Sequence, residues 1–257
     1  MKRKMSFRKG DTKRGIYILP SLFTSANLFC GFYAIVAAMQ GEFVRSAVAI
    51  MVAAVFDNLD GKVARATHTE TRFGVEYDSL CDAISFGVAP AVVAYLWALK
   101  PFGRLGWLAG FLFVACGVLR LARFNVQKDS SHDEHFTGLP IPAAACMIAA
   151  MILFVNRIEQ IGVERNIIIL ALIYVLSFLM VSTIRYVSLK KSHIFRKRHF
   201  NGLVAVVLIF SVIAYEPSVA FFFIGLVYIL SGPVVALYHK SRRPLESEHE
   251  KPSEGHT

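Results

Sequence analysis

Apolar residues in this chain come in long blocks separated by short polar segments. Eight blocks can be drawn, roughly over 16–39, 43–62, 79–99, 105–123, 139–155, 166–185, 202–214 and 218–238. Several reach the ~20 residues that a helix needs to cross a bilayer. Backbone N–H and C=O groups have no partner in lipid, so blocks this apolar are expected to be helices. The pattern predicts an all-α, polytopic membrane bundle of about eight spans. The seventh block is short, and 202–238 could instead close as a tight hairpin around Glu216-Pro217. The polar segments divide the chain into a basic N-terminal stretch (1–15), a membrane domain (16–200), a last pair of membrane helices (201–239) and a polar tail (240–257) expected to be disordered. The first block is too long for a cleaved signal segment and lacks a small-residue cleavage site, so it reads as a retained span.

Composition agrees with the blocks. Hydrophobic residues make up 55% of the 257 and charged ones only 18%, against about a quarter in soluble domains. A formal net charge of +10 raises nucleic acid as a partner, but its distribution argues otherwise. The basic residues gather at block ends, in 1–14, 185–198 and 240–243, as anchors beside anionic lipid headgroups do. No nucleic-acid motif is present, so membrane lipids are the expected surroundings. With eight spans and a cytoplasmic N-terminus, every basic residue of the 28 except Arg45, Lys100, Arg104, Arg157 and Arg165 falls on the inside. Both termini are therefore expected in the cytoplasm, and a prokaryotic plasma membrane suits the compact chain. Cys30, Cys81, Cys116 and Cys146 all lie within apolar stretches without a C-x-x-C pair, which reads as buried, reduced thiols.

The chemistry concentrates where the second block ends and the third begins. The residues read Asp57-Asn-Leu-Asp60-Gly61-Lys-Val-Ala64-Arg65, then, after eight more, Gly74-Val-Glu-Tyr-Asp78-Ser-Leu-Cys-Asp82. On helices, Asp57 and Asp60 share one face with Gly61 and Ala64, and Asp78 and Asp82 share another. A cytoplasmic loop over 64–77 would make the two helices antiparallel neighbours, so that the carboxylate pairs converge. Burying even one such charge in a membrane costs at least about 2.5 kcal/mol, and mutual repulsion adds to that. A divalent cation resolves both, and all-oxygen ligation suits Mg²⁺, Mn²⁺ or Ca²⁺. Helix capping and pairing with Lys62, Arg65 and Arg72 would explain one or two of these aspartates, but not two spaced pairs.

The pattern D-x-x-D-G-x-x-A-R-x8-G-x3-D-x3-D over residues 57–82 resembles the signature of the CDP-alcohol phosphatidyltransferase family, with every fixed position present. The resemblance implies a membrane fold with a six-helix core, often a homodimer. It also implies transfer of a phosphatidyl group from a CDP-linked lipid to an alcohol, with release of CMP. By the family pattern Asp57, Asp60, Asp78 and Asp82 bind one or two Mg²⁺ or Mn²⁺ ions, and Asp82 is also the candidate general base. Gly61, Ala64, Arg65 and Gly74 would form the cytidine diphosphate site, with Gly74 also relaxing the turn before the third span. Asn27, in Pro20-Ser-Leu-Phe-Thr-Ser-Ala-Asn27, is either a helix-packing hydrogen bond or part of the nucleotide site.

Three further stretches, 85–90 (SFGVAP), 119–125 (LRLARFN) and 136–142 (FTGLPIP), are similar to the membrane-embedded, serine-accepting branch of that family. The substrates so implied are CDP-diacylglycerol and L-serine. Arg120 and Arg123, at the cytoplasmic end of the fourth block, could meet the serine carboxylate or a lipid phosphate; both also satisfy the positive-inside rule by snorkelling. The rivals are another acceptor, glycerol 3-phosphate or an inositol phosphate, and a divalent-cation transporter. A phosphorylated acceptor would want a denser basic pocket. A transporter would want acidic residues in spans five to eight.

Overall fold

A computed structural model describes residues 11–67, 69, 71–130, 138–159, 167–184 and 215–241. Those residues form seven helices and no strand: α1 (Asp11–Met39), α2 (Phe43–Thr67), α3 (Arg72–Phe102), α4 (Arg104–Ser130), α5 (Ile141–Glu159), α6 (Ile167–Val181) and α7 (Pro217–Ser241). Five contain segments long and apolar enough to cross a membrane: Pro20–Met39, Arg72–Phe102, Arg104–Gln127, Ile141–Ile158 and Pro217–Val235. The chain is an integral membrane protein. Of the other two described helices, α6 is apolar but only 15 residues long. The last turns of α2 carry Asp57, Asp60, Lys62 and Arg65. The seventh expected block, 202–214, the connector residues 131–136 and the tail from 242 lie outside the described residues.

The bundle packs through small side chains. Along α1 and α2, the most extensive helix pair, Ala34, Ala38, Ala47 and Ala53 are buried, while Phe29, Phe32 and Phe178 stand more than half exposed. In lipid no hydrophobic force drives apolar side chains inward, so close backbone approach and dispersion hold helices together. Gly31 shows the limit of that approach: a Cβ there would lie 2.5 Å from Ser85 Oγ and 2.7 Å from Ser85 Cα. Ser85 sits in a π-helical stretch of α3, Ala83–Val88, that begins directly after Asp82. Such widened turns gather at functional sites.

The expected loop over 64–77 is corrected by the structure. Helix α2 runs on to Thr67 and α3 starts at Arg72, leaving only 68–71 between them. Thr71 caps α3, its hydroxyl accepting the Gly74 N–H at 3.0 Å. Hydropathy marks where lipid ends, whereas a helix continues as long as its residues and caps allow. Gly74 therefore belongs to the first turn of α3 rather than to the turn before it.

Candidate active site

The site is assembled by three helices. Asp57 and Asp60 lie three residues apart near the end of α2, and Asp78 and Asp82 four apart on α3, so each pair shares a helical face. Carboxylate oxygens of Asp57, Asp60 and Asp78 all lie within 4.8 Å of one another. Asp60 is buried, and Asp57 and Asp78 are half-buried. Three carboxylates at that spacing repel, more strongly where water is scarce. A hard divalent cation removes the repulsion, and an all-oxygen donor set is the chemistry it prefers. The triad fits such an ion.

Helix α1 ties the two pairs together. The Thr24 hydroxyl donates to Asp60 Oδ2 at 3.0 Å and also lies 3.1 Å from the Pro20 carbonyl. Asn27 is fully buried, and its Nδ2 donates to Asp82 Oδ1 at 3.0 Å. The Ser85 hydroxyl donates to the Asn27 carbonyl at 3.1 Å, so α3 in turn fixes the α1 backbone that presents Asn27. Ser25 and Tyr77 pair their hydroxyls at 3.0 Å. Asp82 is buried beside the triad rather than inside it.

A cavity of about 140 Å³ opens between the three helices. Asp60 and Asp78 line it together with Gly61, Ala64 and Arg65 from α2, Thr71 and Gly74 from α3, and Pro20, Ser21 and Thr24 from α1. A side chain at Gly61 would come within 3.4 Å of the Arg65 guanidinium, so glycine there leaves that cation free to lie over the cavity. All four residues that sequence marks for the nucleotide on α2 and α3 thus share one cavity with two of the aspartates. Asn27 stands apart from it, against Asp82.

Further along, Arg120 is partly buried, with its Nε shielded from solvent and without a hydrogen-bond partner among the described residues. Its electrostatic neighbours are Asp82 and Tyr228 of α7. Arg123 is exposed. Sequence reasoning passed over Thr24, Thr71 and Tyr77. For Thr24 a signal existed: Thr24, Asn27 and Gly31 recur at i, i+3 and i+7, a polar and small stripe down one face of an apolar helix.

The fold and site together define an integral membrane protein with a carboxylate triad suited to a divalent cation, beside a cavity that carries an arginine. The family model of the CDP-alcohol phosphatidyltransferases matches residues 17–179, and the chain belongs to that family. Among curated relatives, a CDP-diacylglycerol–serine O-phosphatidyltransferase of Helicobacter pylori is 37% identical over 224 residues, covering 87% of this chain and 92% of the relative. A protein of the same description from Bacillus subtilis is 33% identical over 174 residues, 67% of this chain and 92% of its own. An archaetidylserine synthase of Methanothermobacter thermautotrophicus is 38% identical over 170 residues, 65% of this chain and 69% of its own.

Proposed function

We propose that the chain transfers the phosphatidyl group of CDP-diacylglycerol to the hydroxyl of L-serine, giving phosphatidylserine and CMP. The observation that carries the reading is the aspartate triad opening onto the cavity lined by Gly61, Ala64, Arg65 and Gly74. The relatives named for serine transfer support the choice of acceptor.

Arg65, over the cavity, is suited to grip the diphosphate, because its fork matches two phosphate oxygens at once. Gly61 and Ala64 keep the cavity wall low enough for the nucleotide to reach it. When bound, Mg²⁺ or Mn²⁺ held by Asp57, Asp60 and Asp78, with Asp82 completing the set for a second ion, would neutralise the diphosphate and stabilise charge on the departing CMP. Asp82 takes the proton from the serine hydroxyl. The freed oxygen attacks the lipid-side phosphorus, the bond from that phosphorus to CMP breaks, and CMP leaves with the electron pair. Asn27 holds the Asp82 carboxylate in place for that transfer, a role nearer the acceptor than the nucleotide.

Eight spans with both termini in the cytoplasm, a cytoplasmic site, a prokaryotic plasma membrane and a homodimer complete the reading. The span count gains support from two contacts at opposite ends of α5. Gly138 and Leu139 donate to Ile184 and Leu179 at the end of α6, while Arg157 meets Glu216 just before α7. The chain thus leaves Ile184 on one face and resumes near Glu216 on the other.

The test is CMP release by purified protein given CDP-diacylglycerol and Mn²⁺ or Mg²⁺, with serine, glycerol 3-phosphate or inositol phosphate as acceptor. Serine-dependent, chelator-sensitive release is expected. Release with another alcohol alone would overturn the acceptor, and release with none from folded protein would overturn the reaction.

A further inference from the structure

Among the described residues, two buried polar atoms of opposite character near the Asp82 end of the site have no hydrogen-bond partner. One is an acceptor, Asn27 Oδ1, on a side chain with no exposed surface whose other amide atom is bonded to Asp82. The other is a donor, Nε of Arg120, on the α4 helix whose Asn125 Nδ2 donates to Ser79 Oγ at 2.9 Å, which sets that helix beside the stretch of α3 that carries Asp82. A buried polar atom left unpaired costs about 1–3 kcal/mol, more on a charged group. Such atoms are retained where a ligand completes them.

We propose that these atoms form the acceptor subsite, and that it is built for a zwitterionic hydroxy-amino acid. The Arg120 guanidinium takes the carboxylate, Asn27 Oδ1 takes the ammonium, and the hydroxyl between them faces Asp82. An acceptor carrying a phosphate and no ammonium would leave Asn27 Oδ1 unpaired. This rests on the transfer reaction proposed above and says which residues choose its acceptor. It also separates the two arginines: Arg120 is partly buried with its Nε shielded from solvent, whereas Arg123 is exposed and free to meet headgroups.

The same geometry gives α7 a part, although the helix lies beyond the stretch matched by the family model. It packs on α5 through Phe222 stacked on Phe154, with ring centroids 4.3 Å apart, through Gly225 against Met147 and through buried Ile229. That face carries Tyr228, the other electrostatic neighbour of Arg120. Tyr228 is a positioning residue: it steadies the Arg120 guanidinium.

The experiment compares kcat/KM for L-serine, L-serinamide (no carboxylate) and 3-hydroxypropionate (no ammonium). Ratios within one variant are insensitive to how much of the protein is folded. The wild type should prefer serine over each analogue by about 10–100-fold. Arg120→Ala should bring the serine-to-serinamide ratio close to one, chiefly by loss on serine. Asn27→Ala should slow every acceptor, because Asp82 loses its hydrogen bond, and should also collapse the serine-to-hydroxypropionate ratio. Tyr228→Phe should raise KM for serine severalfold while leaving KM for CDP-diacylglycerol unchanged, and it serves where Arg120→Ala fails to accumulate. An active wild type whose ratios survive Arg120→Ala, or survive Tyr228→Phe with KM for serine unmoved, would overturn the subsite. A wild type without serine-dependent CMP release would instead overturn the transfer reaction itself.

Discussion

Thr24 is a small residue with a large consequence for the site. Its hydroxyl holds one oxygen of Asp60 at 3.0 Å, which leaves the carboxylate aimed at the Asp57–Asp78 side. Groups that orient a metal ligand are commonly worth 10–100-fold in metal affinity. Thr24→Val keeps the shape and removes the bond. It should raise the Mn²⁺ concentration for half-maximal activity by about 10–100-fold, as read by metal titration of CMP release. It should cost only about 1 kcal/mol of stability. Asp82→Asn separates the proposed base from the rest: the amide can still meet Asn27 but cannot accept the hydroxyl proton. Serine transfer should fall by about 10²–10⁴-fold, with unchanged behaviour on size exclusion in detergent. An active Asp82→Asn protein would remove the residue from the chemistry.

At the scale of the helix, the crossing of α1 over the π-helical part of α3 makes a prediction whose sign is informative. Alanine is the better helix former by about 1 kcal/mol, so Gly31→Ala in a loosely packed helix would stabilise. Here the new Cβ would lie 2.7 Å from the Ser85 backbone, which has no flexible end to move aside. The helices must part, at a cost of about 1–3 kcal/mol. Thermal unfolding in detergent should therefore show Gly31→Ala melting below the wild type, and activity should drop because Asn27 lies one turn away. This crossing also shows what was legible in the chain and what was not. Helix type and membrane class follow from the apolar blocks, and the paired aspartates with Gly61 and Ala64 from spacing, because a helix places i, i+3 and i+4 on one face, while Arg65 and Gly74 were marked by the family resemblance. The role of α1 did not follow, since the bonds from Thr24 to Asp60 and from Asn27 to Asp82 span 36 and 55 residues. Local periodicity carries no information about such partners. The start of α3 was misjudged for a different reason: Arg72 and Glu76 are polar yet helical, and hydropathy reports lipid rather than helix.

Across the whole molecule, the order of faces can be tested without any substrate. The α5–α6 contacts put Gly138 beside Ile184, and the Arg157–Glu216 pair joins the far end of α5 to the start of α7 at 2.9 Å. Residues 157 and 216 must then share one face of the membrane, and residues 138 and 184 the other. The ion pair itself carries little of this arrangement, since both side chains are partly exposed and such pairs contribute about 0–1 kcal/mol. The apolar packing of Phe154 on Phe222 holds it instead. Under the orientation proposed above, in which all but five of the 28 basic residues fall on the inside, Glu216 lies outside and Arg72 in the cytoplasm. A membrane-impermeant maleimide should therefore label Glu216→Cys and Arg157→Cys in intact cells, and Arg72→Cys only after permeabilisation. The four native cysteines are buried or half-buried, so their background should be low. Labelling of Arg72→Cys alone in intact cells would invert the molecule and put the aspartate site outside. Labelling of only one of positions 157 and 216 would break the α5–α7 pairing, and with it the placement of Tyr228 beside Arg120.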